Sequence, residues 1–179
     1  MIRCLGRIIH KAMGWELEGH FPSELAKKIL IVAPHTSFMD FFVGIPVKFW
    51  LDIQADWYGK KELFIQPFGW ILKAIGGNPI DRQKHSNTVS QIVHNFNTRE
   101  KHTILLTPEG TRKKVSRFKT GFYQIAVQSG VPIIPLIFDY RTKKIKILDP
   151  IYPNGEDGEL ENIESLFRGY QGKNAALSF

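Results

Sequence analysis

The sequence predicts an α/β fold: one domain with a mixed, mostly parallel central sheet flanked by helices. Two observations carry this. Short β-branched apolar runs at 29–33, 103–107 and 131–138 alternate with stretches of helical period. No internal repeat or low-complexity linker divides the 179 residues, a length that suits a single core.

Taken in order, residues 2–13 read as an amphipathic helix. Ile2, Leu5, Ile8, Ile9, Ala12 and Met13 follow helical spacing, and Arg3, Arg7 and Lys11 lie elsewhere around the turn. Trp15 follows. Such a helix either lies in a membrane interface or packs on its own domain. A loop at 19–23 leads to the strand at 29–33. Residues 35–40 form a polar turn, and an apolar helix runs on to about Trp50. Residues 53–58 read as a second strand and 60–64 as a short helical piece.

Pro67 can open a helix carrying Phe68, Trp70, Ile71, Leu72 and Ile75, which Gly76 and Gly77 end. Residues 78–82 are extended and 87–97 helical. The strand at 103–107 is the clearest, and it runs into Pro108, Glu109, Gly110, Thr111 and Arg112. A helix from Thr120 or Gly121 to about Gln128 stops at Gly130. The strand at 131–138 must be short or bulged, because it contains Pro132 and Pro135. Residues 144–148 alternate like an edge strand, 159–170 are the last helix, and the end is expected to be loose.

The chemistry concentrates at 35–40. His35 and Asp40 stand where a strand gives way to a helix, the end of an open α/β sheet where ligands collect. With Ser37 as cap, Asp40 falls at the third helical position, facing the entering loop. The helix N-terminus favours its negative charge. An ionised Asp on one imidazole nitrogen leaves the other free to take a proton, which makes a general base for a hydroxyl or amine.

Composition narrows the partners. The net charge is +7, which suits a polyanionic partner such as phosphate groups, anionic lipid, an acidic carrier protein or nucleic acid. Nucleic acid is disfavoured: the basic stretch 112–119 holds one aromatic, Phe118, and no zinc-finger spacing occurs. No His pair shows metal-ligand spacing, so no metal is expected. A single cysteine, Cys4, excludes an internal disulfide framework. No run approaches a membrane span, and the N-terminus is no secretory signal. A cytoplasmic location is expected, peripheral on the membrane face through the N-terminal helix and the basic cluster.

Four blocks in order resemble a known family. They are His35, Thr36, Ser37, Phe38, Met39 and Asp40; Gly77, Asn78, Pro79, Ile80, Asp81 and Arg82; Pro108, Glu109, Gly110, Thr111 and Arg112; and Val131, Pro132, Ile133, Ile134 and Pro135. Lys60, Lys61, Glu62, Leu63 and Phe64, then Pro67, Phe68, Gly69 and Trp70, precede the second block. Residues 28–140 thus resemble the acylglycerophosphate (lysophosphatidic acid) acyltransferases, within the wider glycerolipid acyltransferases.

The resemblance implies transfer of a fatty acyl group from acyl-CoA or acyl-carrier protein to the hydroxyl of a lysophospholipid-like acceptor. His35 would be the base and Asp40 its partner, with direct attack, no acyl-enzyme and no cofactor. Arg112 and Arg82 would bind the acceptor phosphate, with Lys61 and Lys119 as further candidates. Glu109 would hold Arg112 or the loop, Gly110 and Thr111 would shape the loop, and the strand from Pro132 to Pro135 would be structural or line an acyl channel. Pro34 stands where many relatives have Asn, and Lys113 where many have Ser, which leaves the acceptor open. The alternative is a non-catalytic domain binding anionic lipid or another polyanion.

Overall fold

The computed structural model describes residues 2–65, 67–80 and 85–179. Among these residues, seven strands form one sheet: β1 (Glu16–Glu18), β2 (Lys27–Ala33), β3 (Asp56–Lys60), β4 (Gly77–Ile80), β5 (His102–Leu106), β6 (Ile133–Asp139) and β7 (Lys144–Ile147). Their spatial order is β1-β7-β6-β2-β5-β3-β4. All pairings are parallel except β6 with β7. The helices are α1 (Ile2–Ala12), α2 (Met39–Trp50), α3 (Phe68–Ala74), α4 (His85–Thr98), α5 (Gly121–Ser129) and α6 (Glu159–Ser165). This is the mixed, mostly parallel α/β architecture the sequence predicts.

β2 is central, and its side chains divide between two cores. Ile29, Ile31 and Ala33 join Phe96, Phe122, Ile125 and Phe167 on one face. Leu30 and Val32 join Val43, Val47, Leu136 and Phe138 on the other. A strand buried on both faces reads as a continuous apolar run, which is why this one was legible.

Four elements differ from expectation. β1 was not foreseen: Glu16, Leu17 and Glu18 carry no strand pattern, and they extend only because β7 offers an edge. Pro135 sits inside an interior strand. Its missing N–H faces β7, whose ladder begins at Leu136, and its carbonyl still accepts Leu148 N at 3.0 Å.

The helix expected over 159–170 ends at Ser165. Leu166, Phe167 and Arg168 tighten into three-residue turns, and Gly169 follows at φ +82°. The C-terminal residues are not loose. Phe179 packs on Phe118 with ring centroids 4.4 Å apart, and Asn174 bonds to Thr36.

α1 lies across α2. The face that docks is not the apolar one: Gly6 and His10 are buried, whereas Ile2, Leu5, Ile8 and Ile9 are exposed. A Cβ on Gly6 would stand 2.5 Å from the Pro46 carbonyl oxygen, so only glycine allows this approach. The packing reading of α1 is the one the contacts bear out. One face packs on the domain and the neighbouring stripe is left bare.

Candidate active site

The parallel pairing of β2 with β5 and β6, and of β5 with β3, brings several chain exits to one edge of the sheet. The 34–40 loop leaves β2 there, the 107–112 loop leaves β5, residues 61–64 leave β3, and Tyr140 leaves β6. α2 and α5, which follow β2 and β5, flank opposite faces, so the crevice opens beside β2.

His35 Nδ1 lies 2.9 Å from Asp40 Oδ2. The same oxygen accepts Ser37 N at 3.1 Å, and Oδ1 accepts the Tyr140 hydroxyl at 2.7 Å. Asp40 is buried, and each oxygen has a donor, as a buried carboxylate needs. α2 begins at Met39, one residue later than a Ser37 cap would start it. Ser37 nonetheless gives one half of a capping box, its N–H to Asp40, while its Oγ accepts Met39 N at 3.1 Å. His35 is partly open to solvent. Its Nε2 has no hydrogen-bond partner among the described residues.

Glu109 departs from expectation. It holds neither Arg112 nor its own loop. Its two oxygens accept the backbone N–H of His35, at 2.8 and 3.1 Å. The carboxyl is buried, and desolvation lifts its pKa to about 7 even though the His35 N–H opposes the rise. Gly110 turns the chain at φ +63°, a conformation glycine adopts without strain, and the Lys119 side chain passes over its bare Cα. Lys119 N also donates to Pro108 O at 2.9 Å. Thr111 Oγ1 accepts Lys113 N at 3.3 Å.

Arg112, Lys113 and Lys114 are exposed, and Arg112 has no ion pair among the described residues. Arg117 is exposed and also tied down: it meets Glu161 at 2.7 Å and the buried Glu164 at 3.0 Å. Glu164 was invisible as a partner because it arrives from α6, 47 positions away. Lys61 is exposed at the same sheet edge as His35. Pro132 is not near the site. It precedes Ile133, which pairs with Ile29 toward the opposite edge of the sheet; its carbonyl accepts Ile29 N at 2.9 Å. Arg82 lies outside the described residues.

An aromatic ribbon leads away from the 35–40 turn. Phe38 stacks on Phe41, Phe41 meets Trp57 edge-on at 6.0 Å, and Trp57 stacks on Phe64 at 5.7 Å. Phe38, Met39 and Phe42 are exposed, giving an apolar surface next to a polar dyad. Two partners of the turn escaped sequence reading, Tyr140 and Asn174. They come from the far end of the chain and carry no local signal.

The Acyltransferase family profile matches residues 16–139. The chain belongs to the acyltransferase family.

Similar proteins within reach of this family member include a 1-acyl-sn-glycerol-3-phosphate acyltransferase of Haemophilus influenzae, 28% identical over 174 residues, covering 86% of this chain and 70% of the relative. The corresponding Escherichia coli protein is 35% identical over 96 residues, covering 50% of this chain but 39% of its own. The human 1-acyl-sn-glycerol-3-phosphate acyltransferase beta is 33% identical over 130 residues, 66% of this chain and 46% of its own. This acyltransferase thus spans less than half of the E. coli and human relatives. Its fold is that of the crystal structure of the 1-acyl-sn-glycerophosphate (LPA) acyltransferase PlsC from Thermotoga maritima. The TM-score is 0.62 at 24% identity, over 92% of this chain and 74% of that one.

Proposed function

We propose that this protein transfers a fatty acyl group from acyl-CoA or acyl-carrier protein to the free hydroxyl of an acylglycerophosphate or similar lysophospholipid. The observation that carries the reading is the His35–Asp40 pair, 2.9 Å apart at the carboxyl edge of β2, with Nε2 unpartnered among the described residues. Asp40 keeps the proton on Nδ1, so Nε2 is the basic nitrogen.

The acceptor hydroxyl gives its proton to Nε2 as its oxygen attacks the thioester carbonyl. The tetrahedral adduct then collapses and the C–S bond breaks. The departing thiolate takes the proton back from His35. The products are the new ester and the free thiol of CoA or the carrier. No acyl-enzyme and no cofactor enter this sequence, and no metal is needed.

Arg112 is the residue assigned to the acceptor phosphate, since it is exposed and uncommitted on the loop whose Glu109 holds His35. Lys119, folded over Gly110, and Lys61 add positive charge at the same edge. The same assignment extends to Arg82. The Phe38–Phe41–Trp57–Phe64 ribbon supplies an apolar bed for an acyl chain. The bare stripe Ile2, Leu5, Ile8 and Ile9 would let α1 lie in a bilayer surface, keeping the site beside its lipid substrates on the cytoplasmic face. No helix among the described residues is long and apolar enough to cross a membrane.

The test is incubation of the purified protein with labelled acyl-CoA or acyl-carrier protein and a panel of lysolipids, with products identified by mass. The reading expects a diacyl product from a phosphate-bearing lysolipid. Binding to anionic vesicles with no acyl transfer to any acceptor would make the protein a lipid-binding domain instead.

A further inference from the structure

Tyr140 follows the last residue of β6, at the same sheet edge as His35. Three contacts hold it. Its backbone N donates to Gln171 O at 2.7 Å, its ring meets Trp15 edge-on at 4.8 Å, and its hydroxyl donates to Asp40 Oδ1 at 2.7 Å. The two side chains that share that last bond are 100 positions apart in sequence. Asp139, just before it, is occupied with Arg141, Thr142 and Gln171, so the strand end is itself anchored.

We infer that Tyr140 is a positioning residue for acyl transfer: through Asp40 Oδ1 it fixes the carboxylate that orients His35 and draws off part of its negative charge. The inference rests on His35 being the base. Asp40 has two oxygens and two tasks. Oδ2 faces the imidazole, and rotation about the carboxyl bond would spoil that alignment. A donor on Oδ1 blocks the rotation. It also competes for charge. A carboxylate that accepts a hydrogen bond from Tyr140 and another from Ser37 N has less to offer the ring. Burial and the Asp40 carboxylate push the Tyr140 hydroxyl far above its ordinary range, so it stays a donor at every working pH.

Among the described residues, the titratable groups that interact with Asp40 are His35 on its own loop, Glu109 on the loop after β5, and Tyr140 at the end of β6. Among these, only Tyr140 touches Oδ1.

The experiment is Tyr140→Phe, which keeps the ring against Trp15 and removes only the hydroxyl. Steady-state rates across pH, with a thermal melt, are compared with wild type and with His35→Ala. The variant should lose about tenfold in kcat, the scale of one charge-assisted hydrogen bond, with acceptor KM little changed. Its acid limb in kcat/KM should move to higher pH, because Asp40 then holds the imidazole proton more firmly. Full turnover in Tyr140→Phe, a loss with an unmoved acid limb, or a variant that does not fold would each overturn the inference and make the hydroxyl a stability contact. If His35→Ala keeps full activity, the base assignment itself fails, and that outcome is separate from any result at Tyr140.

Discussion

Both carboxylate oxygens of Glu109 accept the backbone N–H of His35, across 74 positions of sequence. The third motif block therefore holds the first through its main chain, and His35 is held at two levels: Glu109 fixes its backbone and Asp40 its ring. The arrangement has a pH signature. Burial raises the Glu109 pKa from 4.5 to about 7, so the folded state binds its proton more tightly than the unfolded chain does. That contribution to stability is fully present below pH 4.5 and is lost as pH rises through about 7. Glu109→Gln cannot ionise and keeps one acceptor for His35 N. Its melting temperature should fall less than wild type's between those limits. A parallel decline in both proteins would remove Glu109 as the cause.

His35→Ala should lower the transfer rate by about 10²–10⁴-fold while leaving the melting temperature close to wild type, since the side chain is partly exposed. Asp40→Asn should also be slow, because it can present the wrong hydrogen-bonding group to Nδ1. Rates of acyl release to solvent and to acceptor, measured side by side, separate the base from the binding groups.

Arg112→Ala should raise the acceptor KM with little change in kcat at saturation, because the guanidinium is exposed and committed to no partner among the described residues. Arg117→Ala serves as the contrast. Its partners are Glu161 and the buried Glu164, so it should lower stability and leave the acceptor KM alone. Equal KM effects in both variants would mean that general positive charge, not a seat at Arg112, attracts the acceptor.

His10 joins α1 to the domain as a neutral imidazole. It is fully buried, its ring lies 5.5 Å from that of Trp50, and neither nitrogen has a partner among the described residues. Desolvation lowers its pKa from 6.5. The unfolded chain therefore takes up the proton first, and stability complete above pH 6.5 is lost as pH falls through the lowered value. His102 is shifted in the same direction by the same cause. His10→Phe should remove part of the acid-side loss seen in denaturant titrations from pH 7 to 5. An acid limb untouched by the substitution would assign the loss elsewhere.

Asn174 Nδ2 donates to Thr36 O at 2.9 Å, and its backbone N donates to Thr36 Oγ1 at 3.0 Å. The turn that carries His35 is thus braced by residues near the C-terminus. Asn174→Ala removes the first bond only. It should cost about 1 kcal/mol in denaturant unfolding and lower kcat several-fold without altering which acceptors are used. Wild-type turnover in this variant would show that the brace serves stability alone.

Much of the site was legible because its residues are local. His35 and Asp40 meet within one turn, and a strand exit followed by a helix start is enough to pair them. β2, β5 and β6 were legible because continuous β-branched runs have no stable place except a buried sheet. β1 was not, since an edge strand of three residues borrows its conformation from β7. The length of α6 was not, because the turns that end it serve the burial of Phe167, a tertiary demand.

What the amino-acid order determined by itself was the layered α/β class, the close pairing of His35 with Asp40, and the loop that carries Arg112. All follow from short-range rules of period, capping and charge. What only the tertiary structure decided was who stands behind them: Glu109 on the His35 backbone, Tyr140 on Asp40, Asn174 on Thr36, and a glycine seam rather than an apolar face joining α1 to α2. Those partners are distant in sequence. A hydrogen bond between residues 74 to 138 positions apart depends on strand order and register, which no local pattern encodes.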